Sequence, residues 1–184
     1  MTQRVGIINY NVGNIGSVKR SLEFFDTNYL MVNNAKDLKK CDKIILPGVG
    51  SFDFSMKMLK KKKLDFAIKN FFKEGKDILA ICLGLQLLLT ESEEFGKKKG
   101  LNILSGKVKN LKKFSIDSPI PHIGWCMVKK NKNSIVNDSF ETNLCNKYYY
   151  FAHGLICNFK KKYKFTKFIY GKKSFVASVR HKNL

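Results

Sequence analysis

The stretch "DILAICLGLQLLLTESEE", residues 77–94, decides the fold of this chain. Residues 77–81 form an apolar run of the kind found in buried strands of parallel sheets. Cys82 follows at once, and the pattern from Leu83 to residue 94 predicts a helix. A cysteine on such a turn lies above the sheet at a helix N-terminus, where the helix dipole and unpaired N–H groups favour a thiolate. Gly84 is the small residue that a sharp turn requires.

A second apolar strand favours a nucleophile at Cys82 over a core thiol. Free cysteine is among the most buried residue types, so Cys82 taken alone is more often a core residue. The segment "DKIILPGVGSF" (42–52), however, is another buried strand that ends in a glycine-rich loop. Gly48 and Gly50 either form an ordinary turn or let backbone N–H groups face a developing oxyanion. Ligands of open α/β sheets bind at the carboxyl ends of strands, where this loop and Cys82 would both lie.

Strands and helices alternate over the first part of the chain, which is the α/β pattern. Strands are predicted within 4–10, 29–32, 42–52 and 77–81, and helices within 15–25, 35–41 and 53–75. Ser17 is the expected cap of the first helix. Beyond residue 100 the pattern changes to strands at 101–114, 121–130, 148–159, 165–173 and 174–180. The sequence therefore predicts one α/β domain over residues 1–184, with a mostly parallel central sheet flanked by helices and a β-rich C-terminal half.

Composition limits the class of protein. A chain of 184 residues with 44% hydrophobic residues can form a substantial core. No apolar run approaches the roughly 20 residues of a membrane span, and the N-terminus lacks a signal-peptide pattern, so a cytoplasmic protein is expected. The five cysteines are scattered and show no metal-ligand spacing. We therefore expect free thiols, no metal and no cofactor.

The formal net charge of +21 requires a separate explanation. Almost all of the positive charge is lysine, since Arg4, Arg20 and Arg180 are the only arginines. The lysines are spread along the chain, with a denser run at 57–66, and no nucleic-acid-binding motif accompanies them. A solvated lysine-rich surface is the expectation, which makes nucleic acid an unlikely partner. The alternative is a polyanion or an acidic protein.

Four motifs together carry a family resemblance. "LPGVGSF" (46–52), "AICLGLQLLLTESEE" (80–94), "PHIGW" (121–125) and "YYYFAHG" (148–154) occur in this order. The chain resembles class I glutamine amidotransferases, and among them the glutaminase subunit of imidazole glycerol phosphate synthase. The opening "NYNVGNIGSV" (9–18) is similar to an N-terminal segment of that family, with Asn9 and Asn11 in place of aspartate and glycine. The resemblance implies a flavodoxin-like architecture and a (β/α)₈ synthase subunit as partner in a heterodimer.

The resemblance also implies roles for individual residues. Cys82 would be the nucleophile that attacks the side-chain amide carbon of glutamine. The backbone N–H groups of Leu83 and Val49 would stabilise the oxyanion. The other implied positions are substrate-binding residues, Gly48, Gly50, Gln86, His153 and Gly154, and residues near the synthase partner, His122 and Trp125.

Some family features are missing from the sequence. A cysteine nucleophile needs a general base and a carboxylate that orients it. The family supplies both from a C-terminal Q-F-H-P-E segment, which does not occur in residues 1–184. His181 lies too early to take that place and has no glutamate two residues later. Ala80 replaces a glycine before the nucleophile, and Gly154 replaces a hydroxyl residue. The expectation is a C-terminally truncated amidotransferase domain with impaired activity.

Three functions stay open at this point. The first is a glutaminase subunit whose ammonia reaches a synthase that makes imidazole glycerol phosphate. The same subunit type also serves surface-polysaccharide pathways, in which ammonia forms an acetamidino sugar. The second is a non-catalytic scaffold that keeps the docking surface. The third is a basic protein that binds polyanions, with an affinity that falls steeply with salt.

Overall fold

The computed structural model describes residues 3–131, 143–160 and 163–184. The first part of the chain forms a four-stranded, fully parallel sheet in the order β2-β1-β3-β4. This order matches the start of the flavodoxin-like arrangement, as predicted. The strands are β1 (Val5–Ile8), β2 (Tyr29–Val32), β3 (Lys43–Leu46) and β4 (Asp77–Ala80).

Four helices connect these strands: α1 (Ile15–Phe24), α2 (Ala35–Leu38), α3 (Phe52–Lys61) and α4 (Leu64–Lys73). The expectation of Ser17 as the cap of α1 is wrong, because Asn14 is the N-cap and accepts a hydrogen bond from the Ser17 N–H. The predicted helical stretch 53–75 is two helices, because Lys63 adopts a left-handed conformation with φ of 56°. Gly75, with φ of 80°, ends α4 as such glycines commonly do.

The segment after Cys82 differs from its prediction. Instead of one helix over 83–94, the chain forms the five-residue helix α5 (Leu83–Leu87) and then strand β5 (Leu89–Ser92). The reason is long-range backbone pairing, because the carbonyl groups of Leu87 and Leu88 accept hydrogen bonds from the N–H groups of Leu101 and Ile103. These bonds commit the backbone to a sheet where the apolar pattern alone favours a helix.

The second part of the chain is rich in strands, as predicted. One sheet has the order β11-β7-β5-β6, a second pairs β10 with β8, and a third has the order β13-β12-β9. A 3₁₀ helix spans Leu111–Phe114. The strands are β6 (Lys98–Lys99), β7 (Leu104–Asn110), β8 (His122–Met127), β9 (Lys129–Lys130), β10 (Tyr148–His153), β11 (Leu155–Phe159), β12 (Lys164–Tyr170) and β13 (Lys173–Arg180).

The main core joins the parallel sheet to α3, α4 and α5. Ile44 and Leu46 of β3 pack there with Leu59, Ile68 and Leu87 of the helices. A smaller cluster around Leu111, Ile156 and Phe168 lies in the β-rich part. Within the described residues, no helix is long and apolar enough to cross a membrane.

Strand β4 is less covered than its apolar sequence predicts. Ile78 is buried, but Leu79 is 49% exposed and Ile81, just after the strand, is 42% exposed. Both line a groove of about 680 Å³ that runs between β4 and β13 and reaches Cys82. One face of β4 is therefore open beside the candidate nucleophile.

Candidate active site

Cys82 occupies a strained turn between β4 and α5. Its backbone has φ of 54° and ψ of −114°, a combination that only glycine adopts without strain. Such strain costs about 1–3 kcal/mol and persists only where the surrounding structure enforces it. Cys82 is also the N-cap of α5, and its side chain is exposed. The predicted nucleophile turn is therefore present in the structure.

The electrostatic environment of Cys82 differs from the expectation. Partial burial of the sulfur raises the pKa of the Cys82 thiol above its usual 9.0, while a hydrogen bond from the backbone N–H of Leu83 acts in the opposite direction. Helix α5 has only five residues, so its dipole gives little help to a thiolate. The direction of this shift opposes the thiolate expected from the sequence, so the reaction of Cys82 would depend on a base that removes its proton.

Gly48 and Gly84 allow the loop at residues 47–50, which we call the PGVG loop, to contact the start of α5 through the backbone. A Cβ at Gly48 would lie 2.7 Å from the backbone nitrogen of Gly84 and 2.9 Å from the Cβ of Leu83. A Cβ at Gly84 would overlap the carbonyl oxygen of Leu46. Side chains at either position would therefore push the loop away from Cys82. Gly48 contributes close packing and does not line the cavity described next.

A cavity of about 410 Å³ opens beside Cys82 and collects most of the predicted site residues. Its walls come from the PGVG loop, from α5, from the segment after β5 and from the turn between β10 and β11. Of the residues singled out from the sequence, seven line it: Val49, Gly50, Cys82, Leu83, Gln86, His153 and Gly154. The volume lies in the range of small-molecule sites.

The structure adds two carboxylates to this cavity, Glu93 and Glu94, that sequence reasoning assigned to a helix. Glu94 Oε2 accepts a hydrogen bond from the backbone N–H of Phe52 over 2.7 Å, which holds it at the start of α3. Glu93 Oε2 lies 2.5 Å from the Lys113 ammonium, and this contact lowers the pKa of the Glu93 carboxyl. Phe95 and Asn110 also line the cavity. The acidic run "ESEE" (91–94) could have indicated these two wall residues, but the helix predicted over 83–94 gave no reason to place them at the site.

His153 lies on the cavity wall with both ring nitrogens engaged. Its Nδ1 is 2.9 Å from the carbonyl oxygen of Leu155, and its Nε2 is 3.1 Å from Nδ1 of His122. Burial lowers the pKa of His153 below 6.5. Because both nitrogens already have partners, His153 is not placed to take a proton from Cys82.

His122 and Trp125 lie on opposite faces of β8. His122 is only 2% exposed, so the expectation that its side chain belongs to a partner surface is corrected. Trp125 is 67% exposed, because side chains alternate along a strand. Beside it lie Ile123 and, on the paired strand β10, Tyr148 and Tyr150, each at least 58% exposed. We call Ile123, Trp125, Tyr148 and Tyr150 the aromatic ribbon face.

Cys157 lines a further cavity together with Cys82, whereas His181 packs among aromatic rings. The ring of His181 packs 5.0 Å from that of Tyr163 and 6.2 Å from that of Phe72. It is not a wall residue of the cavities that contain Cys82. Cys41, Cys82, Cys126 and Cys157 are free thiols. Among the described residues, no cluster of three or more His, Cys, Asp or Glu side chains is arranged to hold a metal ion.

Two curated proteins are similar to this chain over most of its length. The imidazole glycerol phosphate synthase subunit HisH of Prochlorococcus marinus subsp. pastoris is 42% identical over 151 residues, covering 82% of this chain and 71% of that protein. The HisH subunit of Helicobacter hepaticus is 39% identical over 160 residues, covering 82% and 73%.

Two solved structures share the fold. A crystal structure of a glutamine amidotransferase has a TM-score of 0.64 at 15% identity, covering 85% of this chain and 74% of that chain. PurLQS from Thermotoga maritima has a TM-score of 0.63 at 19% identity, covering 100% and 84%. Residues 7–136 match the CobB/CobQ-like glutamine amidotransferase domain. On these grounds the chain belongs to the glutamine amidotransferase family of enzymes, as the sequence motifs predicted.

Proposed function

We propose that this chain is a glutaminase subunit in which Cys82 is the nucleophile. The sulfur attacks the side-chain amide carbon of glutamine, and the thiol proton leaves with the amide nitrogen as ammonia. The glutamyl thioester that remains is hydrolysed by water to glutamate and the free thiol. The observation that carries the proposal is the strained turn at Cys82, which opens into a cavity with polar walls.

The walls of the cavity suit an amino acid zwitterion. Glu94 contributes a carboxylate that complements an α-ammonium group, whereas the Glu93 carboxylate is already paired with Lys113. The side-chain amides of Gln86 and Asn110 can donate hydrogen bonds to an α-carboxylate. Leu83 and Val49 both line the cavity, and their backbone N–H groups remain our candidates for the oxyanion donors.

The proton acceptor for Cys82 is not identified among the described residues. His153 is the histidine that shares the cavity, and both of its nitrogens are hydrogen-bonded elsewhere. The raised pKa of Cys82 adds to the same difficulty. We therefore expect slow hydrolysis of glutamine by residues 1–184 alone, well below the roughly 10 per second that is typical of enzymes.

A further cavity supports transfer of ammonia to a synthase partner. This cavity of about 240 Å³ is lined by Cys82 and Gln86, and also by Tyr150 of the aromatic ribbon face. The HisH relatives are subunits of imidazole glycerol phosphate synthase. We propose that a (β/α)₈ synthase subunit docks on the aromatic ribbon face and receives the ammonia.

Labelling with a glutamine-analogue chloroketone tests the nucleophile. The reagent resembles glutamine, so it should react with the cysteine beside the cavity, Cys82, whereas burial raises the pKa of the thiols of Cys41 and Cys126, and that of Cys157 to about 12, and no glutamine site is proposed at those cysteines. Intact-mass analysis should show one adduct, blocked by excess glutamine and absent from Cys82→Ala. Adducts that form equally in Cys82→Ala would overturn the assignment. Complete resistance of the unaltered chain would favour a non-catalytic scaffold.

A further inference from the structure

A series of hydrogen bonds links residues of strand β8 to the wall of the cavity beside Cys82. A carbonyl oxygen can only accept, so Nδ1 of His153 carries the proton of the 2.9 Å bond to Leu155. Nε2 of a neutral His153 must then accept, so Nδ1 of His122 is the donor across 3.1 Å. Nε2 of His122 then carries no proton and lies 3.4 Å from Sγ of Cys126, whose thiol also has the carbonyl oxygen of Ile169 as an acceptor at 3.8 Å. The carbonyl of Leu155 therefore assigns the protons of both histidine rings.

The His122 ring has little freedom to reverse this order. It is 2% exposed and stacks on Tyr170, with ring centroids 3.9 Å apart, and on Phe151 and Phe168, each at 5.4 Å. Tyr170 is itself held by a hydrogen bond from its hydroxyl to the carbonyl of Pro119. Rotation of the imidazole would require these rings to move. Packing therefore fixes the plane in which Nδ1 faces His153.

The positions of His122 and His153 connect this series of hydrogen bonds to the wall of the candidate site. His122 and His153 are directly opposed residues of the β8–β10 pair. His153 lines the cavity with Gly154 and Leu155, whereas His122 lies behind it, outside the cavity. Without a donor from His122, the partly buried Nε2 of His153 would lose its hydrogen-bond partner unless the ring turns.

We propose that His122 is a positioning residue: its Nδ1–H holds His153 as the Nδ1–H tautomer and so fixes the 153–155 wall against which glutamine binds. This inference rests on the proposed function, because glutamine is the ligand that the wall would contact. His122 does not touch the substrate. In this tautomer the second nitrogen of His122 is an acceptor, and the Cys126 thiol lies within hydrogen-bond distance of it.

Two amide substitutions separate this role from simple packing. In His122→Asn, the amide nitrogen replaces Nδ1 and can still donate to His153. In His122→Gln, the amide reaches toward the former Nε2 position, so the donor to His153 is lost. Both variants remove the same aromatic ring, so they share its cost in stability.

Nitrogen-15 NMR of the histidine rings gives the first measurement. The chain has three histidines, and His181→Asn assigns the signal of the one outside the pair. We expect the Nδ1–H tautomer at His153 in the unaltered chain and in His122→Asn, and a changed tautomer or ring exchange in His122→Gln. An Nε2–H tautomer at His153 in the unaltered chain would overturn the inference.

The second measurement is glutamine binding by calorimetry, with all variants made on a Cys82→Ala background. Loss of one hydrogen bond, at about 0.5–1.5 kcal/mol, should weaken binding by up to about tenfold in His122→Gln. His122→Asn should recover most of this loss. Equal binding by the two variants would reject the positioning role and leave the proposed function intact. No binding to the chain with an unaltered His122 would instead reject the proposed function.

Discussion

The backbone of Gly84 lies against the carbonyl oxygen of Leu46, so that any side chain at residue 84 would overlap it. This contact joins the end of β3 to the first turn of α5 and sets the distance between the PGVG loop and Cys82. We expect Gly84→Ala to lower the free energy of unfolding by about 2 kcal/mol, as overpacking typically does. Urea denaturation measures the change, and chloroketone labelling of Cys82 should slow as well.

Gly50→Ala is the matched control for that prediction. Gly50 belongs to the same loop, but a Cβ there would meet nothing within 4 Å. Its φ of 85° means that alanine costs about 1 kcal/mol of backbone strain without a clash. A larger loss of stability in Gly50→Ala than in Gly84→Ala would contradict the close approach of α5 to β3.

Replacing Cys82 by glycine should give a more stable protein than replacing it by alanine, and both substitutions should abolish the reaction with glutamine. The φ of 54° and ψ of −114° at Cys82 are strained for any residue with a Cβ. Cys82→Ala keeps the strain and Cys82→Gly removes it, so the glycine variant should be about 1 kcal/mol more stable than the alanine variant after the entropic cost of glycine. Thermal or urea unfolding of the pair decides this. If Cys82→Gly is the less stable variant, the turn is not strained.

The sequence predicted the parallel sheet well because its signals are local. Apolar runs bounded by glycine and polar residues mark β1, β3 and β4, and the PGVG loop and Cys82 follow two of them. Since parallel strands end at the same edge of a sheet, the cavity around Cys82 could be foreseen from chain order alone.

Features that depend on distant partners could not be foreseen. Carbonyl groups of Leu87 and Leu88 pair with residues more than ten positions away, and this converts a predicted helix into β5. The same error concealed Glu93 and Glu94 as wall residues. The resemblance placed both His122 and Trp125 near the synthase partner, and only the alternation of side chains along β8 separates the buried one from the exposed one. The exposed fraction of Leu79 likewise depends on which elements cover β4.

As the pH falls, protonation of His122 and His153 in the unfolded state should destabilise the folded protein before protonation of its carboxylates does. Burial lowers the pKa of both histidines below 6.5, so the folded state holds them neutral. The unfolded chain binds protons below pH 6.5 and the folded chain does not, so stability is complete above that pH and falls below it. The slope is at most about 1.4 kcal/mol per pH unit for each group.

Urea unfolding between pH 7.5 and 5 measures this loss. Glu91 and Glu93 do not interfere, because their pKa values lie below 4.5 in the folded state and their contribution is lost only in stronger acid. His122→Asn keeps the hydrogen bond to His153 but cannot be protonated, so its stability should depend less on pH. An identical pH dependence in that variant would show that His122 does not contribute.

The fluorescence emission of Trp125 should report docking of the proposed synthase subunit. It is the only tryptophan of the chain and is 67% exposed, so its emission should be that of a solvated indole and should shift to the blue when a partner covers the aromatic ribbon face. Large exposed aromatics at the centre of an interface commonly contribute 2 kcal/mol or more, so Trp125→Ala should weaken docking more than about tenfold. Its stability should change little. Phe24→Ala, which removes an 83% exposed aromatic from α1, should leave docking unchanged. Equal weakening by the two variants would place the docking surface elsewhere.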